Sequence, residues 1–191
     1  MLTLTSMRPM GPDFTGSGSC IFPDMVEARP GGSGLDMVHF NDILSPKALA
    51  TGLTANGKKQ LFQKIAALAA DAYGLDAEHV AEALFEREKL GSTGFGGGVA
   101  IPHAKIAELQ KMCGVVVLLD PPVPFEAVDD SPVDIAFALL SPVDSGAEHL
   151  KTLARVSRYL RDENQVTRLR GAGSAEALHA LLAGGEARDA A

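Results

Sequence analysis

The amino-acid sequence predicts a single α/β domain, in which helices cover the faces of a central mixed β-sheet of four or five strands. Two observations support this fold class. Apolar residues recur at helical spacing both before and after the middle of the chain. Between them lie two continuous β-rich runs, 113–120 and 133–140. A strand that is apolar throughout is typical of a sheet covered on both faces, so the order of helices, strands and helices predicts a layered sandwich.

The chain has 191 residues, nearly half of them apolar, which is enough for one sizeable core. Residues 1–36 show no sustained helical or strand period and are predicted to form a disordered extension. A translation start near Met25 or Met37 agrees equally well with that segment. The ordered domain is expected over residues 38–184, followed by a flexible tail at 185–191.

The first predicted elements are helices. Ser45-Pro46 resembles an N-cap followed by proline at the first helical position. Apolar residues at helical spacing predict a helix from Lys58 to Tyr73, which Gly74 ends. Asp76 is expected to cap a second helix that continues to about Phe85.

The central strands are bounded by prolines. Residues 113–120 form an apolar run that Pro121-Pro122 is expected to end. Residues 133–140 form the second strand, ended by Ser141-Pro142. Between them, Phe125–Val128 predicts a short edge strand.

The C-terminal part is predicted to be helical. Ser145-Gly-Ala-Glu148 has the form of a capping box and opens a helix through Leu160. The apolar residues that this helix is expected to turn inward are Leu150, Leu153 and Leu160. Asp162 predicts the start of another helix, and Ser174 that of a last one ending near Gly184.

Composition excludes several classes of function. The net charge of −7 argues against nucleic acid as the main partner, because phosphate backbones bind basic surfaces. No apolar run reaches the roughly 18–20 residues that span a bilayer, so we expect no membrane insertion and a cytoplasmic location. The two cysteines, Cys20 and Cys113, fit no zinc or disulfide pattern, and we expect neither a metal nor a cofactor.

The most informative segment is the glycine-rich stretch 91–105. A P-loop would need Lys and a hydroxyl residue directly after the last glycine, where Val99 and Ala100 lie. Val99 also occupies the place of the third glycine in a dinucleotide-binding fingerprint. A nucleophile elbow around Ser92 would need glycine where Leu90 lies. None of these common motifs is therefore present.

What remains is a glycine turn followed by His103. Glycine backbone can direct successive N–H groups at an anion. A neutral histidine with one free ring nitrogen is a workable nucleophile at cytosolic pH. The candidate phosphate-binding residues are Ser92, Thr93, Gly94, Gly96 and Gly98. Two alternatives stay open. The hydroxyls of Ser92 and Thr93 could shape the turn without binding phosphate. The whole segment could also be a glycine hairpin followed by a histidine with a structural role only.

The run Arg87-Glu-x-Leu-Gly-Ser-Thr-Gly-x-Gly-x-Gly-Val-Ala-Ile-Pro-His-Ala-Lys105 resembles the motif of the fructose/mannitol-type enzyme IIA domains of the bacterial phosphoenolpyruvate-dependent phosphotransferase system (PTS). The similarity is greatest to the nitrogen-regulatory IIA branch. It extends from about Val38 to Leu182 and includes Asp42–Pro46, Pro132–Leu140 and Glu148–Leu153. It implies the PTS IIA type-2 fold.

The resemblance also implies roles for three side chains. His103 matches the histidine that accepts a phosphoryl group from a small histidine-phosphorylated carrier. His149 matches a second active-site histidine that hydrogen-bonds near the phosphate, and Arg87 matches an arginine beside the site. The chain departs from the family pattern at Gly97, where the family often has Asn, and at Ala104, where glycine is common.

Three functions follow from these residues. In the first, the protein is a regulatory phosphohistidine relay, which an HPr-like carrier of the nitrogen branch phosphorylates and which acts on potassium transporters or sensor kinases. In the second, it is the IIA component of a fructose/mannitol-type sugar uptake system and passes the phosphoryl group to a IIB domain. In the third, it is a binding module with an idle histidine. The first is our prediction.

Overall fold

A computed structural model describes residues 40–184. The predicted extension at 1–36 and the predicted tail at 185–191 lie outside the described residues. Within the described range, no helix is long and apolar enough to cross a membrane.

Residues 40–184 form five helices around one six-stranded sheet. The strands are β1 (Leu44–Leu53), β2 (Gly94–Gly96), β3 (Val99–Ala100), β4 (His103–Ile106), β5 (Cys113–Val123) and β6 (Val133–Pro142). The helices are α1 (Lys58–Tyr73), α2 (Ala77–Lys89), α3 (Gly146–Leu160), α4 (Glu163–Arg170) and α5 (Ala175–Leu182). The predicted class, a mixed sheet flanked by helices, is confirmed. The count of four or five strands was too low, because β2, β3 and β4 are only two to four residues long.

The long strands β1, β5 and β6 form the centre of the sheet, in the order β1-β5-β6-β3-β2. β1 runs parallel to β5, and β5 runs antiparallel to β6. β3 and β4 both run parallel to β6, one after the other along its length, with Val99 opposite Ile135 and His103 opposite Leu139. β6 therefore fixes where the first residue of β4, His103, lies.

Each face of the sheet has its own apolar layer. Successive side chains of β5 alternate between the faces. Val115 and Val117 pack with Phe62 and Ile65 of α1, whereas Val116 packs on the other face with residues of α3, α4 and α5. All five of these side chains are fully buried. The alternation explains why β5 and β6 are apolar at nearly every position.

The prediction of a helix start at Ser45-Pro46 was wrong, because these residues lie in β1. Within residues 40–184, β1 is an edge strand that pairs only with β5, and its pairing is irregular between Leu44 and Leu49. Proline has no N–H to donate, and an irregular edge strand tolerates it for that reason. Burial of Leu44 and Leu49 then favours the strand over a helix.

The prolines after residue 120 do not end β5, which continues to Val123. The pairing with β6 is interrupted between Leu118 and Val123, so the prolines lie where the ladder lacks regular pairs. Phe125–Val128 is a loop and not the predicted edge strand. The Phe125 ring is buried, while Val128 is 86% exposed.

Most helix ends agree with the sequence, with two exceptions, and one residue faces the other way. α2 continues four residues beyond Phe85, to Lys89. The Ser145 hydroxyl does not cap α3 but donates to the carbonyl of Pro142. Leu150, predicted to face inward, is 65% exposed.

The other predicted helix ends are confirmed. Gly74 ends α1 with a positive φ of 71°. Asp76, Asp162 and Ser174 each accept a backbone N–H at the start of a helix.

Candidate functional site

His103 begins β4 and is partly buried. Its Nδ1 lies 2.9 Å from the carbonyl oxygen of Ile101. A carbonyl oxygen only accepts hydrogen bonds, so Nδ1 must be the nitrogen that bears the proton. Nε2 is then left with its lone pair, which makes it the nucleophilic atom of the ring. The sequence alone left this tautomer open.

Arg87 lies in the last turn of α2 and reaches that lone pair. Its Nε donates to Nε2 of His103 at 3.0 Å, and its Nη1 donates to the carbonyl of Gly91 at 3.0 Å. The second bond fixes the guanidinium beside the histidine. A guanidinium in this place can turn its donors to the oxygens of a phosphoryl group once Nε2 has reacted.

The surroundings of His103 favour the neutral ring. Burial lowers the pKa of His103 most, and the positive charge of Arg87 and the nearby His149 lower it further, against the bond to Ile101, which raises it. A histidine with a pKa below the usual 6.5 is neutral at pH 7. In the neutral ring, Nε2 could act as a nucleophile without a separate base.

His149 lies in the first turn of α3 and is buried, with its ring centroid 5.6 Å from that of His103. Its Nδ1 lies 2.9 Å from the hydroxyl oxygen of Ser141, at the end of β6. Burial lowers the pKa of His149 most, followed by the charges of Lys105 and Arg87. The structure thus brings Arg87, His103 and His149 together, as the resemblance implied.

Two residues near the site, Lys105 and Ser141, were missed as site residues. Lys105 lies two residues after His103 on β4, so its Cβ points to the same side of the strand. The spacing of two residues from His103 could therefore have identified Lys105 as a residue near the site. Ser141 could not be found in this way, because its contact with His149 depends on the turn between β6 and α3.

The hydroxyls of Ser92 and Thr93 are engaged within the turn. Ser92 donates to the carbonyl of Phe125 at 3.3 Å and accepts the N–H of Gly94 at 3.2 Å. Thr93 donates its hydroxyl and its N–H to one carboxylate oxygen of Glu88, at 2.6 and 3.0 Å. In this conformation both hydroxyl protons shape the turn, and phosphate binding by them stays a prediction.

The tip of the hairpin is bonded to groups of the protein itself. The N–H of Gly97 donates to the Asp129 carboxylate at 2.9 Å, and the Gly97 carbonyl accepts from Arg170 at 2.7 Å. Arg170 also forms a two-point ion pair with Asp134. A Cβ on Gly98 would lie 2.5 Å from the Arg170 guanidinium, so Gly98 faces α4.

His103 lines a surface depression of about 390 Å³. Its lining includes Arg87, Gly94, Phe95, His103, Val128 and Leu153. Of the three glycines predicted to bind phosphate, Gly94 lines this depression, whereas Gly96 lines a second pocket beside α4. Exposed Val128 makes one edge apolar, and an apolar rim around a reactive group is typical of a surface that docks another protein.

Comparison with known families gives one extended match. Residues 42–184 match the family model described as "Phosphoenolpyruvate-dependent sugar phosphotransferase system, EIIA 2". A curated relative, the nitrogen regulatory protein of Bradyrhizobium diazoefficiens, is 46% identical over 142 residues, which cover 74% of this chain and 93% of the relative.

Solved structures agree. Nitrogen regulatory protein IIA-Ntr from Neisseria meningitidis superposes with a TM-score of 0.69 at 36% identity, covering 73% of this chain and 96% of that one. The mannitol IIA protein of Escherichia coli superposes with a TM-score of 0.62 over 73% of this chain and 98% of its own length. At 21% identity, the second similarity shows the fold alone.

Proposed function

Because this chain belongs to the EIIA 2 family of the phosphoenolpyruvate-dependent sugar phosphotransferase system, we propose that it is a phosphohistidine relay of the nitrogen-regulatory branch. His103 receives the phosphoryl group from a histidine-phosphorylated, HPr-like carrier. The protein then acts on its targets according to whether His103 is phosphorylated. One observation supports this most strongly: Nε2 of a neutral histidine accepts from an arginine, and both residues line a surface depression.

The transfer step needs only groups that the two proteins supply. The lone pair on Nε2 of His103 attacks phosphorus, and the bond between phosphorus and the carrier's ring nitrogen breaks. The carrier nitrogen keeps that electron pair. The proton on Nδ1 of His103 stays in its bond to Ile101, so no base has to remove it during the step.

Arg87 changes its role during this reaction. Before transfer, its Nε donates to the Nε2 lone pair, and this bond must break for the attack to occur. The bond to the Gly91 carbonyl keeps the guanidinium at the site while Nε turns away. Its donors then stabilise the charge on the transferring group, which is a large contribution to catalysis where donors are already in place.

Regulation follows from the charge that phosphorylation adds. A phosphoryl group brings about two negative charges to a depression with an apolar edge at Val128. A partner that packs against this edge when His103 is unphosphorylated is repelled or attracted by the added negative charge when His103 is phosphorylated. The proposed targets are regulatory partners such as potassium transporters or sensor kinases, to which the two states bind at least about tenfold differently, and the proposed location of this protein is the cytoplasm.

The test is phosphoryl transfer from phosphoenolpyruvate through purified enzyme I and the nitrogen-branch carrier. We expect acid-labile, base-stable label on the wild type and none on H103A. H79A is the matched control, because His79 is an exposed histidine paired with Glu108 and should leave labelling unchanged.

Other outcomes contradict specific parts of the proposal. Label on H103A would assign the wrong acceptor, and an unlabelled wild type would favour an idle binding module. Rapid transfer onward to a sugar-specific IIB domain would instead support a role in sugar uptake. Equal binding of both states to a candidate target would overturn the regulatory switch.

A further inference from the structure

The contact between Ser141 and His149 has no role in the transfer step proposed for His103 and Arg87. Ser141 is fully buried at the end of β6. Its Oγ lies 2.9 Å from Nδ1 of His149 and 3.4 Å from the carbonyl oxygen of Ala104. Among residues 40–184, Nε2 of His149 has no hydrogen-bond partner. Ser141 therefore occupies one nitrogen of the ring and leaves the other available beside His103.

We propose that Ser141 is a positioning residue for phosphoryl transfer, whose hydroxyl keeps a proton on Nε2 of His149 whether that ring is neutral or charged. This inference rests on the proposed function, since it concerns how His149 meets the phosphoryl group on His103. According to this proposal, the buried Ser141 determines which ring nitrogen of His149 can donate a hydrogen bond.

The chemistry of a hydroxyl explains this control. When His149 is neutral, we infer that the Ser141 hydroxyl donates to Nδ1 at 2.9 Å in preference to the Ala104 carbonyl at 3.4 Å, which places the single ring proton on Nε2. When His149 is charged, Nδ1–H donates to Oγ and the hydroxyl turns to the carbonyl of Ala104. Both arrangements leave Nε2–H directed away from Ser141. A carbonyl in place of the hydroxyl would fix the proton on Nδ1, as Ile101 does for His103.

The phosphoryl group makes this difference important. Phosphoryl oxygens only accept hydrogen bonds, so an Nε2 without a proton would repel them, whereas Nε2–H stabilises them. The charged groups around His149 are Lys105 of β4 and Arg87 of α2, together with the titratable ring of His103. Their charges and burial favour neutral His149 before transfer.

Arrival of the phosphoryl group reverses that balance. Its negative charge favours protonation of His149, and the solvent supplies the proton. His149 therefore passes through both protonation states during one cycle of transfer. Only a partner that both donates and accepts serves both states, and Ser141 has this property.

The first test is the tautomer of His149 in the unphosphorylated wild type, read from its imidazole nitrogen chemical shifts by NMR above about pH 7.5. We expect Nε2–H. A ring protonated on Nδ1 would overturn the inference, and this measurement needs neither a variant nor a phosphoryl donor. It therefore separates failure of this inference from failure of the proposed relay.

The second test is the single-turnover rate of transfer from phosphorylated carrier to S141A, divided by the wild-type rate at each pH. This ratio cancels the pH dependence of the carrier. We expect it to be about tenfold lower near pH 8 than near pH 5, because the pKa of His149 is lowered and the ring is charged only in more acidic solution, where it has Nε2–H without help from Ser141. In an H149Q background, S141A should cause no further loss.

The matched control is S174A, which removes the hydroxyl that caps α5 and so lowers stability at a distance from the site. Its rate ratio should not change with pH. A ratio for S141A that is equally flat, or a clear further loss in the H149Q background, would show that Ser141 only stabilises the fold. A wild type that takes no phosphoryl group at all would overturn the relay and this role with it.

Discussion

The histidine side of the site and the tip of the glycine hairpin differ in what their polar groups bind. On the histidine side, Arg87 is the one hydrogen-bond partner of His103 Nε2 among residues 40–184, and both side chains line a depression. At the tip, the N–H and the carbonyl of Gly97 are already bonded to Asp129 and Arg170. The side chains of the first region line an open depression, whereas the second region uses its backbone groups in bonds within the protein.

This difference suggests which region binds the phosphoryl group. A glycine turn can bind an anion through its N–H groups, but the Asp129 carboxylate already occupies the Gly97 N–H. Phosphate binding there would have to displace this carboxylate. Arg87 and His149 lie on the histidine side, and neither has to give up a bond to a carboxylate. We therefore expect substitutions on the histidine side to change transfer, and substitutions at the tip to change mainly stability.

The largest effect is expected for R87Q. Loss of the guanidinium removes the positive charge that faces the transferring group, so the transfer rate should fall about 100-fold. The same substitution should raise the pKa of His103, because the charge of Arg87 helps to lower it. Rates are measured in single turnover, and the pKa by NMR titration of the imidazole.

K89Q is the control for R87Q, since it removes one positive charge from the same end of α2 at an exposed side chain. It should keep the wild-type rate within about twofold. If R87Q and K89Q lost activity equally, the net charge of the helix end would explain the effect and the position of the guanidinium would not.

A smaller effect, on stability, is expected for R170M at the tip. This change removes the two bonds to Asp134 and the bond to the Gly97 carbonyl. The ion pair is partly exposed, so we expect a loss of about 1–2 kcal/mol in the free energy of unfolding, mostly from the bond to the backbone. Urea denaturation measures this loss.

Transfer by R170M should stay within about twofold of the wild type under conditions where it is folded. R168M, which removes an exposed arginine of the same helix without these contacts, should change neither quantity. A large loss of transfer in folded R170M would show that the tip takes part in the reaction and does not affect stability alone.

The sequence predicted the fold class because its strongest signals are local. The period of α1 with Gly74 at its end, and the acidic or serine caps of α2, α4 and α5, depend on neighbours within a few residues. The errors concern long-range contacts. Ser45-Pro46 lies in a strand because β5 pairs with that segment, and a capping pattern cannot show this pairing.

The same distinction between local signals and long-range contacts applies to the site. The motif and the resemblance to a family identified Arg87, His103 and His149, and the structure places these three side chains together. Hydrogen-bond partners were not predictable, since a motif does not show that Thr93 donates to Glu88 or that Ser141 meets His149. Those bonds decide which atoms are free to react.

The smallest effect is expected for G97N, which introduces the residue that the family often has at the tip. Gly97 has a φ of 63°, in the left-handed region that asparagine adopts more readily than most residues, and no atom lies within 4 Å of an added Cβ. We expect the free energy of unfolding to change by less than about 0.5 kcal/mol.

G98A provides the contrast at the next residue. Gly98 has a φ of 80°, and an added Cβ would lie 2.5 Å from the Arg170 guanidinium and 2.8 Å from the Asp134 carboxylate. It should therefore cost at least about 1 kcal/mol more than G97N in urea denaturation. Equal costs at the two positions would mean that Arg170 and Asp134 do not fix the tip, and the distinction between a bonded tip and an open histidine side would fail.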